Sequence, residues 1–242
     1  MQKKINENPM IILCGGKGKR MGEITKKIPK PLVKVGKKTI IEHKIKYYQN
    51  KGVSKFIFCL GYKSLLLKNF LSKKIKNAIF DDAGISAGIL KRIFFVRRYI
   101  KVDTYISYGD TLAKIDFKDL LREHRKSKCA LTIVVAPIQS LFGIVNWDSK
   151  HRAKTFEEKP TFNHFVGYSV ISPFFFKKIS NKIINLNDGK GIVEAIKYLI
   201  KKKQVNIYKF NDLQITINSK RELHNAKLEY NKYFTFNELN KK

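Results

Sequence analysis

Acidic residues are scarce in this chain: 19 Asp and Glu stand against 50 Lys and Arg in 242 residues, a formal net charge of +31. Such an imbalance attracts polyanions over long range. The features that turn charge into nucleic-acid recognition are missing, however. There is no zinc-finger spacing, no aromatic RNP-like motif and no long basic coil. The lysines run from Lys3 to Lys242 in short clusters on the polar sides of apolar segments. That distribution reads as a lysine-solvated surface, compatible with a small anionic substrate, and nucleic acid is not the expected partner.

Cysteine is sparse as well. Cys14, Cys59 and Cys129 lie in or beside apolar runs, odd in number and without a CxxC pair. This excludes a disulfide framework and fits buried thiols in a reducing compartment. Long hydrophobic stretches are missing too. The first apolar run, MIILC, reaches five residues before Gly15, too short for a membrane span or a signal-peptide core. The expectation is a cytoplasmic protein without a membrane partner. The histidines His43, His124, His151, His164 and His224 show no zinc-site spacing, and no Ser/His/Asp or Cys/His arrangement can be argued from their order.

What is present is enough for a core. Hydrophobic residues make up 43% and aromatics 12% of the chain, which excludes disorder, and the length suits one substantial domain. We read residues 1–9 as a polar lead and 10–242 as a single domain. A homo-oligomer is left open, because the aromatics serve a core as well as an interface.

Apolar runs at Met10–Cys14, Phe56–Leu60, Ala78–Phe80, Tyr105–Tyr108, Ala130–Val135 and Val205–Phe210 read as strands. Between them, helical spacing follows Thr39 and covers Ile89–Tyr99, the segment from Asp116 to about Lys126, and Gly191–Lys202. Thr39-x-x-Glu42 and Ser219-x-x-Glu222 are candidate capping boxes, the second opening a last helix. The alternation predicts a mostly parallel mixed sheet covered by helices. The stretch from Pro137 to about Ser172 breaks the rhythm and reads as mixed sheet and substrate loops.

Three places can carry chemistry. The first apolar run ends in Gly15-Gly16-Lys17-Gly18-Lys19-Arg20-Met21-Gly22, a turn of the kind that brings backbone amides to phosphate. It matches neither the Walker order nor GxGxxG. Pro29-Lys30-Pro31 restricts the backbone around one lysine and orients it as a point charge or forms an ordinary rigid turn. Asp110, at the end of a short strand, sits where open α/β sheets bind ligands, and beside a triphosphate it would hold Mg²⁺. Lys159, in Glu158-Lys159-Pro160, is a second proline-restrained lysine. Asp116 reads as a helix cap.

GGKGKRM at 15–21 with PKPL at 29–32 resembles the opening signature of the sugar-phosphate nucleotidyltransferase family. Gly61-Tyr62, Ala87–Arg92, YGD at 108–110, EKP at 158–160 and FVGY at 165–168 follow in the family's order, over roughly residues 10–230. The resemblance implies a three-layer Rossmann-like nucleotide-diphospho-sugar transferase fold and transfer of a nucleoside monophosphate from an NTP to a sugar 1-phosphate, releasing pyrophosphate. It assigns Arg20, Lys30 and Asp110 to catalysis. Cys14, Gly15, Gly16, Lys17, Gly18, Gly88 and Asp110 would bind the nucleotide. Tyr108, Glu158, Lys159 and Gly167 would bind the acceptor, and Asp110 would hold the magnesium cofactor.

YGDTLAKIDFKDLLREH followed by Phe142-Gly143 is similar to glucose-1-phosphate cytidylyltransferases, which implies CTP as the nucleotide. Val166 replaces the first glycine of the family's usual sugar loop, so a non-sugar phosphate or phosphonate acceptor stays open. The family also has a second metal-binding aspartate before its final helix. Here Thr216 or Asn218 takes that place, depending on register, and Asp212 fits neither. Metal binding then rests on Asp110 and phosphate oxygens, is weaker, or uses another acid such as Asp81 or Asp82. The other readings are an inactive nucleotide-binding regulator and an RNA-binding basic protein.

Overall fold

The computed structural model describes residues 8–186 and 189–234. Its strands are β1 (Met10–Leu13), β2 (Lys34–Val35), β3 (Lys38–Thr39), β4 (Phe56–Leu60), β5 (Ala78–Asp82), β6 (Thr104–Tyr108), β7 (Thr111–Ala113), β8 (Leu131–Gln139), β9 (Ile144–Trp147), β10 (Ala153–Glu157), β11 (Thr161–Ile171), β12 (Val205–Lys209) and β13 (Gln214–Thr216). The helices are α1 (Glu23–Lys27), α2 (Ile40–Asn50), α3 (Ser64–Ser72), α4 (Ile89–Phe95), α5 (Phe117–Ser127), α6 (Phe175–Lys178), α7 (Asn181–Ile184), α8 (Lys190–Lys201), α9 (Lys220–Leu228) and α10 (Tyr230–Phe234).

A run apolar on both sides belongs in the interior of a covered sheet, and β1 lies there between β6 and β4. Seven strands form the main sheet in the order β12-β8-β11-β6-β1-β4-β5. β1 pairs in parallel with β4 and β6, β4 with β5, and β8 with β12. Only β11 runs antiparallel to its neighbours β6 and β8. The sheet is mixed and mostly parallel, as the alternation of elements predicts.

Strand side chains alternate between faces, and the core divides accordingly. Met10, Ile12, Phe56, Phe58 and Tyr105 pack with Ile41, Ile45 and Tyr48 of α2, Leu67 and Leu71 of α3, and Leu120 of α5. Ile11, Ile57, Cys59 and Ile106 face the other way, against Leu90, Ile93 and Phe94 of α4 and Ala195 and Leu199 of α8. These are the three layers. Burial stabilises the fold by about 1.5–3 kcal/mol for each large apolar side chain. A third, smaller cluster joins Met21, Val35 and Ile40 to Ile217, Leu223 and Ala226, so that α9 packs beside the glycine turn.

The helix starts follow their caps. Thr39 and Glu42 form the complete capping box of α2, and the Asp116 carboxylate accepts from the amides of Lys118 and Asp119 at 3.0 Å. At α9 the Ser219 hydroxyl accepts from the Glu222 amide, but the Glu222 carboxylate reaches the Asn218 amide at 2.8 Å, one residue earlier than a capping box requires.

Several expectations need correction. The helix predicted over Ile89–Tyr99 is α-helical only to Phe95 and tightens into a 3₁₀ turn at Val96–Tyr99. α9 is followed by the short α10. Cys14 and Cys59 are buried, whereas Cys129 is only half-buried. Helix α3, its start marked by Lys63 in the left-handed region rather than by a capping side chain, has no counterpart in the sequence reading. Of the polar lead, only Asn8 and Pro9 are described; Asn8 donates to the Asp103 carbonyl and the Pro9 carbonyl accepts from the Tyr105 amide. The expected domain's last residues, 235–242, also lie outside the described residues.

Candidate active site

The carboxyl ends of β1, β4 and β6 share one edge of the sheet, the edge at which open α/β folds bind ligands. β1 runs into Cys14 and the glycine turn, β4 into Gly61, and β6 into Tyr108-Gly109-Asp110. The ends are tied together: the Cys14 amide donates to the Cys59 carbonyl at 2.9 Å, the Gly109 amide to Leu13 at 3.0 Å, and the Tyr62 amide to Gly15 at 3.1 Å. Gly109 is needed for this approach, because a Cβ there would lie 2.6 Å from the Leu13 carbonyl oxygen.

The glycine turn is moulded from beneath by Arg92 of α4. Its guanidinium is buried and donates to the carbonyls of Leu60 and Gly15. A side chain at either Gly15 or Gly61 would overlap the guanidinium. Gly18 takes a left-handed conformation, φ 63°, and its carbonyl accepts the Thr25 hydroxyl at 3.0 Å. Gly16 faces open space. Lys17, Lys19 and Arg20 are exposed at the rim.

Two connected cavities meet at Asp110. One, of about 270 Å³, is bounded by Gly16, Gly18, Lys19, Arg20, Lys30, Pro31 and Asn218. The other, of about 510 Å³, extends past Lys17 and Tyr108 to Ile85, Ser86, Ile89 and Arg92. Both include Leu13, Gly16, Gly18, Lys19, Gly109 and Asp110. This is a single cleft with a cationic rim and one carboxylate, large enough for a nucleotide-sized ligand.

The proline-restrained Lys30 begins a 3₁₀ turn and is almost wholly buried. Its ammonium donates to Asp110 Oδ2 at 2.6 Å and to Asn218 Oδ1 at 2.7 Å. The register left open by the sequence is thereby decided. β13 pairs with β7, Thr216 sits opposite Thr111 with their hydroxyls 3.0 Å apart, and the Ile217 amide donates to the Asp110 carbonyl. Asn218, two residues further, is the side chain that faces Asp110 across Lys30.

Cys14 lines the cleft, but burial pushes its thiol up to about 12, more than the nearby Lys44 lowers it. The thiol stays protonated and is no nucleophile at neutral pH. Tyr108 and Gly167, both assigned to the acceptor by the resemblance, are neighbours. Gly167 has φ +85°, and a Cβ on it would lie 3.3 Å from the Tyr108 ring. Gly88 is the N-cap residue of α4, just behind the wall formed by Ile85, Ser86 and Ile89.

Other expected residues are not brought to the cleft. Glu158 and Lys159 lie beyond β10 on a two-stranded arm whose strands are exposed along their whole length. They pair loosely with each other at 3.7 Å and bound neither cavity. Asp81 and Asp82, the alternative metal acids, are also elsewhere: Asp81 pairs with Arg98 at 2.7 Å, and Asp82 caps the Gly84 amide. The buried histidines are structural, His43 bonded to the Val35 carbonyl and His124 to Thr132 and Ser172.

Two residues escaped the sequence reading. Arg92 was visible only within a family segment. Lys44 falls in the apolar stripe Ile41, Ile45, Tyr48 of α2, and a lysine at that spacing is itself the signal that could have marked it. It is fully buried. Among the described residues no group of three or more His, Cys, Asp or Glu stands ready for a metal. Nor is any helix long and apolar enough to cross a membrane.

A glycine turn and a lone strand-end aspartate around a cationic cleft define a nucleotide-binding α/β protein. Residues 9–215 match the nucleotidyl transferase family, NTP_transferase, and the chain belongs to it. The chemistry of that class joins an NTP and a sugar 1-phosphate into a nucleoside diphosphate sugar, with release of pyrophosphate.

Among relatives, the chain is 32% identical over 250 residues to a probable glucose-1-phosphate cytidylyltransferase of Bacillus subtilis, covering 92% of this chain and 94% of that protein. It is 32% identical over 154 residues to the D-glycero-alpha-D-manno-heptose 1-phosphate guanylyltransferase of Campylobacter jejuni, covering 62% and 67%. In fold it is similar to HddC from Yersinia pseudotuberculosis, with a TM-score of 0.71 at 19% identity over 92% of this chain and 99% of that one. A putative glucose-1-phosphate thymidylyltransferase from Bacillus anthracis gives a TM-score of 0.70 at 18% identity, over 91% and 94%.

Proposed function

We propose that the protein is a magnesium-dependent cytidylyltransferase, moving CMP from CTP to a sugar 1-phosphate. The observation that carries the nucleotidyl-transfer reading is the convergence of Lys30, Asp110 and Asn218 beside the glycine turn. The preference for CTP is supported by the similarity to the Bacillus subtilis protein across nearly the whole chain.

The donor set suits the metal. Asp110 Oδ2 and Asn218 Oδ1 both face the point where the Lys30 ammonium now lies. Magnesium takes hard oxygen ligands and is often bound by one or two carboxylates together with substrate phosphates. Asp110 would hold it, with the Asn218 amide oxygen beside it. When bound, the metal draws charge from the phosphate oxygens at the reacting centre.

The chain's own groups do the rest. Backbone amides around Gly15, Gly16 and Gly18 cradle the phosphates, while Lys17, Lys19 and Arg20 neutralise them from the rim. Ile85, Ser86 and Ile89 border the space for the base, with Gly88 next to them at the start of α4. Tyr108 and Gly167 leave room for the acceptor, and Glu158 and Lys159, which border neither cavity, would have to be brought to it by movement of the arm. An acceptor phosphate oxygen attacks the α-phosphorus in line. One P–O bond forms as the bond to the bridging oxygen breaks, and pyrophosphate leaves with the electron pair. Lys30 faces the charge that develops, so catalysis is mainly alignment and electrostatics.

A second reading, transfer of GMP to a heptose 1-phosphate, is favoured by the similarity to the Campylobacter jejuni protein. Pyrophosphate release, measured with CTP, GTP, UTP and dTTP against glucose 1-phosphate, heptose 1-phosphates, and non-sugar phosphates and phosphonates, separates the two. CTP-dependent release that disappears in Asp110→Asn is the expected result. A preference for GTP selects the second reading. Nucleotide binding without release from any pair points to an inactive regulator.

A further inference from the structure

The cleft is more suited to a polyanion than to a bare metal ion. Among the described residues Asp110 is the only carboxylate bordering its two cavities, against Lys17, Lys19, Arg20, Lys30 and Arg92. The position opposite Asp110 holds Asn218, whose amide supplies an oxygen without a charge. The Lys30 ammonium fills the point where these two oxygens converge. A divalent cation arriving alone would have to displace that ammonium, whereas an incoming triphosphate would attract it.

A further cation lies behind the same turn. Lys44 is wholly buried in α2 and donates to the carbonyl of Thr111, the residue after Asp110, and to the Tyr168 hydroxyl at 3.1 Å. The rings of Tyr48 and Tyr168 lie 5.3 and 5.0 Å from its ammonium. Among the described residues no carboxylate forms an ion pair with it. Carbonyl, hydroxyl and ring faces satisfy the ammonium without cancelling its charge, so its field reaches the cleft through a low-dielectric layer. The Cys14 thiol, on the cleft wall, feels both Lys44 and Asp110.

We propose that this cleft binds a triphosphate before and without a divalent cation, with Lys30 and the buried Lys44 supplying the positive charge, and that the metal enters only with or after the nucleotide. On binding, the phosphates draw Lys30 toward themselves and free the oxygens of Asp110 and Asn218. The inference rests on the nucleotidyl-transfer reading, since it takes the ligand to be an NTP.

Calorimetric titration with inorganic tripolyphosphate and with CTP, each in EDTA and in magnesium, tests it alongside Mn²⁺ binding to the nucleotide-free protein by electron paramagnetic resonance. Tripolyphosphate affinity in EDTA is expected to lie within about tenfold of that in magnesium, with Mn²⁺ alone bound only weakly. Asn218→Asp should reverse the balance, raising Mn²⁺ affinity and lowering polyphosphate affinity in EDTA by about tenfold each. Lys44→Met should weaken polyphosphate binding in EDTA several-fold while leaving the circular dichroism spectrum unchanged. If Lys44→Met fails to fold, the rim-side Asn218→Asp carries the test alone.

Polyphosphate binding that requires magnesium, tight Mn²⁺ binding without nucleotide, or an Asn218→Asp variant indistinguishable from the parent each overturn the inference and leave the transferase reading standing. Absence of binding by both polyphosphate and CTP under both conditions overturns the two together.

Discussion

The two ends of the cleft are built in opposite ways. On the side of β1, β4 and β6, the buried cations have fixed places: Arg92 fills the space between Gly15 and Gly61, and Lys30 is held by Asp110 and Asn218. On the side of β8 and β11, the strands run beyond the helical layers into an arm. There Leu141, Phe142, Trp147 and Phe156 are exposed, and the Glu158 carboxylate lies beside Gly143. The contrast teaches that the fold organises the end proposed to bind phosphate, whereas it leaves the arm proposed to meet the acceptor exposed. On the proposed function, a buried, well-paired end beside an exposed arm suits a reaction in which one ligand must be seated before the other.

Four substitutions probe that contrast. The largest effect is expected from Asp110→Asn, which should lower kcat by about 100-fold or more if the preformed end carries the chemistry. Steady-state pyrophosphate release measures it, and a loss below tenfold would move the reacting centre elsewhere. Next, Gly109→Ala forces a methyl against the Leu13 carbonyl. We expect a loss of about 1–3 kcal/mol in urea unfolding, and an unchanged midpoint would mean that the strand ends are less tightly joined than they look.

Lys159→Met tests the arm. It should raise the acceptor KM by about tenfold while leaving CTP binding and unfolding unaltered. An unchanged KM would remove the arm from the reaction, and a matching loss of CTP affinity would erase the distinction between the two ends.

The smallest effect belongs to Asp103, far from the cleft. His124 beside it, then Arg125 at 2.9 Å, outweigh burial and hold its carboxyl down at about 2, against 3.8 in the open chain. Its folded value is depressed, so its contribution to stability is complete above 3.8 and disappears as the pH falls through about 2. Asp103→Asn should therefore cost about 1 kcal/mol at neutral pH, a difference that narrows on acidification. Unfolding midpoints across that range read it, and a gap that does not vary with pH would exclude this linkage.

Local signals were legible where they decide local structure. The Thr39–Glu42 box, the Asp116 cap and the β1 run with its glycine turn all lie where the residue types place them. The proline-bracketed Lys30 was also readable, though its partners were not. Asp110 and Asn218 lie 80 and 188 residues away, and only the pairing of β7 with β13 brings the latter in. α3 left no clear pattern, because Leu65 and Leu66 are exposed while Leu67 and Leu71 are buried, and it has no capping side chain. Arg92 and Lys44 look like surface residues by type. Their burial depends on Gly15 and Gly61, in the turns after β1 and β4, and on Tyr168 of β11, all distant in sequence.

The chain has a single tryptophan, and the arm carries it: Trp147, 64% exposed on β9. Its indole is thus an intrinsic optical reporter of that one region, insensitive to events confined to the phosphate end. Emission that stays red-shifted when nucleotide binds and turns blue when an acceptor follows would display, without any attached dye, the moment at which the second ligand is enclosed.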